Sequence, residues 1–199
     1  MENIACKPSK DYELIGGVKF FMAAASPFIN HAITISALVT IFNNYILNNK
    51  IEAVVMSEMD VYLSEKDHYR PDVVVVSDFE KVKNGKRVYG APDLVVEVLS
   101  RRTMFNDMGP KKAAYEACGV KEYWIIDTWA KRVEVYQLID GKFVLSGVHT
   151  SEYDEDDDDE GEEVSDFPID KIKVSIFDDL TVDVKDIFRW YIETPVKEK

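Results

Sequence analysis

The chain has 199 residues, a length typical of one domain, and 46% of them are apolar. That apolar share is enough for a buried core and excludes a wholly disordered chain. No apolar run approaches the ~18 residues of a transmembrane helix, and the N-terminus lacks the basic and apolar regions of a signal peptide. The two cysteines, Cys6 and Cys118, show neither metal-site nor disulfide spacing. We therefore expect a cytoplasmic protein without a membrane partner.

The negative charge of the chain is concentrated in one segment. There are 24 basic and 37 acidic residues, giving a net charge of −13, and residues 152–166 hold 11 of the acidic groups and no basic one. The remaining residues carry a net charge of only −2, which neither excludes nor indicates a nucleic-acid partner. We interpret the run as an acidic loop insert in a single domain spanning residues 11–199. A sharper alternative is that the loop shields a site or mimics DNA.

The N-terminal third predicts a tail, a hairpin and a long helix, in that order. Residues 1–10 are interpreted as a tail. The apolar and aromatic segment Tyr12–Met22 has Gly16-Gly17 at its middle, which favours a β-hairpin. A serine and a proline, Ser26-Pro27, form a typical helix start, so we expect a helix over about residues 27–48.

The rest of the chain alternates strands and helices. Two continuous β-branched runs, Asp72–Val76 and Leu94–Leu99, are typical of strands covered on both faces. A helix over residues 107–118 is expected to end at Gly119. The remaining predicted elements are strands at Glu52–Val55, Met59–Leu63 and Tyr123–Asp127, a hairpin of Arg132–Leu138 and Phe143–His149 turning at Asp140-Gly141, and a final helix around Val184–Ile192. This order predicts an α/β (α+β) fold with a central mixed β-sheet flanked by helices.

Two acidic residues stand out because they lie in or beside buried strands. Glu97 lies inside the run LVVEVL, and Asp72 directly precedes VVVV. A buried carboxylate is costly unless it is paired, hydrogen bonded or bound to a metal. Asp93 shares the face of Glu97 but lies about 13 Å along the strand, whereas Asp72 on a neighbouring strand can lie about 5 Å away. Asp72 and Glu97 are therefore the better pair for Mg²⁺ or Mn²⁺.

Several motifs of this sequence resemble a known nuclease family. The order Pro71-Asp72, a loop and then Glu97-Val98-Leu99 is similar to the PD-(D/E)xK nuclease pattern. The segments RPDVVVVSD, GAPDLVVEVLS, DMGPKKAAYEACGVKEYWIID and YELIGGVKFF…SPFINH resemble the Uma-two family of restriction endonuclease-like proteins, which is common in bacteria. The resemblance covers about residues 11–192. It implies a restriction-endonuclease-like fold with an N-terminal hairpin.

The resemblance also implies an activity and a set of catalytic residues. Asp72 matches the first carboxylate and Glu97 the second, and the main-chain carbonyl of Val98 would join them around the cation. The superfamily pattern expects lysine where this chain has Leu99, and the Uma-two family places a lysine on the following helix. That position is Lys111, with Lys112 as the fallback. The implied protein is a Mg²⁺- or Mn²⁺-dependent DNA endonuclease that works as a homodimer.

Four further residues are candidates for supporting roles. Glu13 and His31 match polar positions of the family pattern and are expected to line the pocket from the hairpin and the first helix. Asp93 and Asp127 are expected to hold Lys111 or a metal-bound water.

Less specific interpretations stay open. Glu97 and Lys111 could form a purely structural salt bridge. With Leu99 at the usual lysine position, the protein could be a noncatalytic member that acts in DNA binding or assembly. A metal-dependent hydrolase acting on another phosphate substrate is a third interpretation.

Overall fold

The computed structural model of the chain describes residues 12–21, 28–151 and 169–193. Several predictions lie outside these ranges: the N-terminal tail with Cys6, the helix start at Ser26-Pro27, and the acidic run 152–166. In chain order the helices and strands are β1 (Tyr12–Ile15), β2 (Val18–Phe21), α1 (Ile29–Asn49), β3 (Val54–Ser57), β4 (Val61–Tyr62), β5 (His68–Tyr69), β6 (Val73–Val76), β7 (Val88–Tyr89), β8 (Leu94–Val98), α2 (Met104–Asn106), α3 (Lys112–Cys118), β9 (Glu122–Asp127), β10 (Arg132–Ile139), β11 (Lys142–Thr150), β12 (Lys171–Lys173), β13 (Thr181–Asp183) and α4 (Val184–Ile187).

A six-stranded mixed sheet forms the centre of the fold, in the order β11-β10-β9-β8-β6-β3. Strands β8 and β9 run parallel, and every other pair in this sheet is antiparallel. All residues of β6 and β8 are buried, as their continuous β-branched runs predict. The predicted central mixed sheet is therefore confirmed.

A second sheet of five short strands, in the order β2-β1-β5-β4-β7, covers part of the central sheet. It contains the predicted N-terminal hairpin of β1 and β2, which turns at Gly16 and Gly17. Three of its strands have only two residues each. β4 lies within the predicted strand Met59–Leu63, but β5 and β7 are too short to leave an alternating pattern in the sequence, so the joining of these strands with the hairpin into one sheet was not predicted.

The central sheet has a core on each face. On one face it packs against Leu38, Phe42 and Ile46 of α1 and against the C-terminal segment. On the other face it packs against the five-stranded sheet and α3, through side chains such as Val61 and Tyr115. Among the described residues, no helix is long and apolar enough to cross a bilayer.

The turn predictions agree with the backbone, whereas two helix ends differ. Asp140 and Gly141 both have positive φ, at 50° and 76°, as a tight hairpin turn between β10 and β11 requires. Gly119 ends α3 in the left-handed conformation at φ 87°, as predicted. The first helix begins at Ile29 rather than at residue 27. The last helix ends at Ile187, five residues before its predicted end.

Asp93 connects three strands at the edge of the core. Its carboxylate accepts hydrogen bonds from the Ser77 main-chain N–H at 2.7 Å and hydroxyl at 2.8 Å, and from Lys121 Nζ at 2.7 Å. Its own carbonyl accepts from the main-chain N–H groups of Lys121 and Glu122. Burial alone would raise the pKa of this carboxyl, but Lys121 and Ser77 together lower it below its ordinary value.

Replacing Asp93 by Asn should lower the free energy of unfolding at pH 7 by about 1–3 kcal/mol, since a charged acceptor of three hydrogen bonds is lost. Because the folded-state pKa of Asp93 is lowered, its contribution is present above the unfolded-state pKa and disappears as the pH falls through the folded-state value. Urea unfolding of both proteins between pH 7 and pH 2 measures this. A difference that stays constant across that range would contradict the assignment.

Candidate active site

A lysine surrounded by carboxylates lies between the two sheets. Lys111 is only 2% exposed, and its Nζ is 2.7 Å from Glu97 Oε1, 3.1 Å from Asp107 Oδ1 and 3.3 Å from Glu13 Oε1. All three acidic residues are themselves buried. An isolated buried ammonium ion would be very costly, so these carboxylates make its burial possible.

Each member of this cluster comes from a different part of the fold. Glu97 lies on β8, on the face that packs toward α3 and the second sheet. Glu13 lies on the inner face of β1, and the Arg70 main-chain N–H donates to its Oε1 at 2.9 Å. Asp107 and Lys111 lie one turn apart, before α3. The cluster therefore joins the central sheet, the second sheet and the helical segment.

The helical segment that delivers Asp107 and Lys111 is a π-helical turn, Asp107–Lys111, between α2 and α3. The turn contains Pro110. Proline lacks a backbone N–H, and its ring clashes with the preceding turn of a regular α-helix. The wider π turn accommodates the ring, and such turns are frequent at functional sites. Tyr123 fixes the turn to β9 by donating a hydrogen bond from its hydroxyl to the Asp107 carbonyl at 2.9 Å.

Three fully buried tyrosines enclose the cluster. The Tyr115 hydroxyl donates to Glu97 Oε1 at 2.9 Å, so this oxygen has both Tyr115 and Lys111 as partners. Tyr69 lies with its ring centroid 5.7 Å from Lys111 Nζ. The Tyr115 ring contacts both Tyr69 and Tyr123, at centroid distances of 5.3 and 5.2 Å. These rings exclude water and hold the Glu97 carboxylate in one orientation.

Asp72 lies beside the cluster, close to Glu97, with which the sequence predicts it to form a pair. The antiparallel register pairs Val73 with Val96, which places Asp72 opposite Glu97. Asp72 Oδ2 accepts a hydrogen bond from the Val98 main-chain N–H at 2.7 Å. Its Oδ1 lies 3.4 Å from His31 Nε2 on α1. The two neighbouring strands thus bring both predicted carboxylates to one place.

We call the side of the cluster formed by Asp72 and His31 the open side, because it is the most exposed part of the cluster. Their side chains are 15% and 16% exposed, whereas those of Glu97 and Lys111 are 4% and 2% exposed. A cation or a phosphate would therefore reach Glu97 past Asp72 and His31. Lys111 lies at the closed end of the site.

Charges inside the cluster shift the pKa values of its members in opposite directions. Burial raises the pKa of Glu97 well above its ordinary value, and Asp107, Asp72 and Glu13 raise it further, against the effect of Lys111. Burial lowers the pKa of Lys111, but Glu97, Asp107 and Glu13 outweigh burial and raise it well above its ordinary value. Lys111 is therefore a cation at any physiological pH. It balances only part of the surrounding negative charge.

His31 adds a titratable group at the open side. Burial lowers the pKa of its imidazole, but the adjacent Asp72 carboxylate outweighs burial and raises it above the ordinary value. Its Nδ1 is buried and has no hydrogen-bond partner among the residues described. The imidazole contacts Asp72 through Nε2, and the main chain of Val98 also favours its charged form.

The donor set at Asp72 and Glu97 fits a hard divalent cation that keeps part of its water shell. Within the described ranges, no three His, Cys, Asp or Glu side chains form a metal-ligand group on their own. Two carboxylates with a main-chain carbonyl and water are nevertheless a common way to bind Mg²⁺. Glu97 Oε2 makes no hydrogen bond or ion pair within the described part of the chain, so it is the oxygen left for a cation.

Three of the candidate residues lie apart from the cluster. Asp93 binds Ser77 and Lys121 rather than Lys111. Asp127 Oδ1 accepts from the main-chain N–H groups of residues 129 and 130 and stabilises the turn after β9. Lys112 Nζ lies 3.3 Å from the centroid of the Tyr136 ring. Only Asp72, Glu97, Lys111, Glu13 and His31 come together, with Val98 next to them.

Asp107 and Tyr115 were not among the predicted site residues, although the sequence held a signal for both. Asp107 precedes Lys111 by four residues and Tyr115 follows it by four. Residues spaced in this way lie on one face of a helix. The choice of Lys111 as the catalytic lysine therefore also indicated Asp107 and Tyr115 as its neighbours.

The central mixed sheet and the elements that flank it form the restriction-endonuclease-like fold. The sequence matches the Uma2 family, described as "Putative restriction endonuclease", over residues 2–166. The chain therefore belongs to the Uma2 family, and the predicted family resemblance is confirmed.

A solved structure has the same fold. It is the crystal structure of a putative nuclease belonging to DUF820 from Anabaena variabilis ATCC 29413, with a TM-score of 0.67 and 21% sequence identity. The match covers 91% of each chain, and it confirms the predicted restriction-endonuclease-like fold. No curated protein shows significant similarity to this chain.

The charge pairing of Lys111 can be tested by stability. Replacing Lys111 by Met leaves Glu13, Glu97 and Asp107 buried without their cation, which should lower the free energy of unfolding at pH 7 by about 3–5 kcal/mol. Burial already raises the folded-state pKa values of Glu97 and Asp107 above their ordinary values, and without Lys111 they rise further, so the deficit should shrink as the pH falls toward about 4. Chemical denaturation across this pH range measures both effects.

The matched control is Lys112→Met, one residue further along, since Lys112 contacts the Tyr136 ring rather than the carboxylates. We expect this variant to lose less than about 1 kcal/mol. Equal losses in the two variants would contradict the pairing.

Proposed function

We propose that the protein is a metal-dependent endonuclease that hydrolyses DNA phosphodiester bonds. The observation that carries this proposal is the contact of 2.7 Å between the buried Lys111 ammonium and Glu97, beside Asp72 on the adjacent strand. Membership of the Uma2 family supports a nuclease. A buried lysine next to a pair of carboxylates is also suited to phosphodiester hydrolysis, because it supplies oxygen ligands for a cation and a fixed positive charge.

In this proposal Asp72 and Glu97 bind the cation, together with the main-chain carbonyl of Val98. Bound there, Mg²⁺ or Mn²⁺ would polarise a phosphate oxygen and lower the pKa of a water molecule. Asp72 is held by the Val98 N–H and Glu97 by Tyr115 and Lys111. These contacts orient both carboxylates before any ligand arrives, which lowers the cost of organising the site.

Lys111 supplies the fixed positive charge. Its Nζ donates to Glu97 and orients that carboxylate, and in this proposal it stabilises charge that develops on the phosphate. Glu13 and Asp107 keep the ammonium in place and protonated. His31, at the open side beside Asp72, is suited to contact a phosphate or a water molecule.

The second candidate function is a noncatalytic nuclease-fold protein that binds DNA or acts in assembly, motivated by Leu99 at the usual lysine position. Leu99 is buried in the apolar core on the α3 side of the sheet, so its position holds no charge. However, Lys111 delivers an ammonium group from the helix to the same carboxylate. This replacement favours the enzyme over the binding protein. The homodimer, the cytoplasmic location and the preference for DNA stay predictions.

The test is cleavage of supercoiled plasmid with Mg²⁺ or Mn²⁺, compared between wild type, Glu97→Gln and wild type with EDTA. We expect metal-dependent nicking by wild type and a loss of at least about a hundred-fold in Glu97→Gln, because a ligand of the cation is removed. Thermal unfolding of wild type and Glu97→Gln checks that both proteins are folded under the conditions of the assay.

The matched control is Glu116→Gln. Glu116 lies on α3 and binds Lys142 and the Phe143 N–H of β11, away from Lys111. We expect it to cleave like wild type. Cleavage by Glu97→Gln at the wild-type rate would overturn the catalytic assignment, and a folded wild type that never cleaves would favour the binding protein.

A further inference from the structure

A row of aromatic rings crosses the outer face of the five-stranded sheet from one edge to the other. One ring comes from each strand, in the order Phe21, Tyr12, His68, Tyr62 and Tyr89. Neighbouring ring centroids are 6.1, 5.3, 4.8 and 5.6 Å apart along this aromatic row. All four spacings lie in the range of direct ring contact. The row is thus one continuous surface rather than a set of separate side chains.

The strand register places these rings on the face turned away from Lys111. Side chains alternate along a strand, so Tyr12 points outward while its neighbour Glu13 points inward to Lys111. Seven strand positions share the outer face, and none of them is acidic: Tyr12, Leu14, Lys19, Phe21, Tyr62, His68 and Tyr89. Lys19 gives these seven positions a positive formal charge.

A cation lies over the row near each end. Lys19 Nζ is 4.4 Å from the centroid of the Tyr12 ring, and the Arg87 guanidinium carbon is 4.7 Å from that of Tyr62. Arg87 also lies 3.9 Å from Asp60, an ion pair that is long enough to leave most of its donors available. The face therefore combines stacking surfaces with positive charge, which is the chemistry of a surface for single-stranded nucleic acid.

The two terminal rings of the aromatic row are more exposed than the three inner rings. Phe21 is 71% exposed and Tyr89 is 48% exposed, whereas the three rings between them are half-buried. The end rings have only one neighbour each in the row. Each terminal ring therefore presents free aromatic surface to solvent, where an unpaired base could stack.

We infer that the aromatic row binds single-stranded nucleic acid, with bases stacking on Phe21 and Tyr89 and phosphates paired with Lys19 and Arg87. A duplex keeps its bases stacked on each other and offers this face only its phosphates. The inference rests on the proposed nuclease function for its biological sense, and it narrows the substrate to nucleic acid with a single-stranded part. The row and the catalytic cluster share strand β1, through Tyr12 on one face and Glu13 on the other.

Binding can be tested without cleavage in full-length protein carrying Glu97→Gln. Fluorescence anisotropy with labelled oligothymidylate, and with a duplex of the same length, gives the two affinities. We expect Phe21→Ala and Tyr89→Ala each to weaken oligothymidylate binding by roughly 5- to 150-fold and to leave duplex binding nearly unchanged. Lys19→Gln should lower the salt slope by about 0.7, the value for one phosphate contact on a single strand.

The matched control is Trp190→Ala, an exposed aromatic residue beside α1 and outside the row, which should bind like the parent. Tyr89→Leu keeps an apolar side chain but has no ring. We expect it to lose affinity as Tyr89→Ala does, which would attribute the loss to base stacking rather than to a defect in folding. Unchanged oligothymidylate binding in Phe21→Ala and Tyr89→Ala, or no binding by the parent, would overturn the inference.

The outcome is independent of the nuclease test. If wild type cleaves plasmid and the row variants bind as the parent does, the proposed nuclease function is supported and the binding role of the aromatic row is contradicted. If binding depends on the row and wild type cleaves nothing, the binding role of the row is supported and the nuclease function is contradicted.

Discussion

The structure depends on burying one ammonium ion, that of Lys111, where water cannot solvate it. Such an ion is tolerated only if carboxylates replace its water shell. Here Glu97, Asp107 and Glu13 do so from three separate parts of the chain. Their convergence fixes the second sheet, the π turn and the central sheet relative to one another. Stability alone does not explain this buried ion cluster, because apolar side chains of similar volume at the same positions would often stabilise the core at least as well.

The carboxylates outnumber the cations at this place. Glu13, Asp72, Glu97 and Asp107 are opposed by Lys111 and by His31, whose pKa is raised by Asp72. Burial raises the pKa of Glu97, and the excess of negative charge raises it further. A divalent cation at the open side would relieve this excess. The same excess would repel a phosphate in the absence of a cation. Cation binding and substrate binding are therefore coupled in this account.

Much of the site could be predicted from the sequence, because some of it follows from strand geometry. The spacing of neighbouring strands predicts that Asp72 and Glu97 can lie about 5 Å apart, and the register that pairs Val73 with Val96 places them opposite each other. Lys111 could be identified only from the family resemblance, since its distance from Glu97 depends on how a helix packs on the sheet. The contact of Lys111 with Glu13 could not be derived, because it depends on a second sheet in which three of the five strands have only two residues. Asp93 binds Ser77 and Lys121 rather than Lys111, which agrees with its predicted distance of about 13 Å from Glu97 along the strand.

The most direct test of this account is whether Asp72 and Glu97 share a divalent cation. Thermal unfolding of wild type, Asp72→Asn and Glu116→Gln with increasing Mn²⁺ measures binding to the folded state. At a hundred times the dissociation constant, a single site adds about 2.7 kcal/mol to the free energy of unfolding. We predict this gain for wild type and Glu116→Gln, and its loss in Asp72→Asn. An equal gain in all three proteins, or no gain in wild type, would contradict the account.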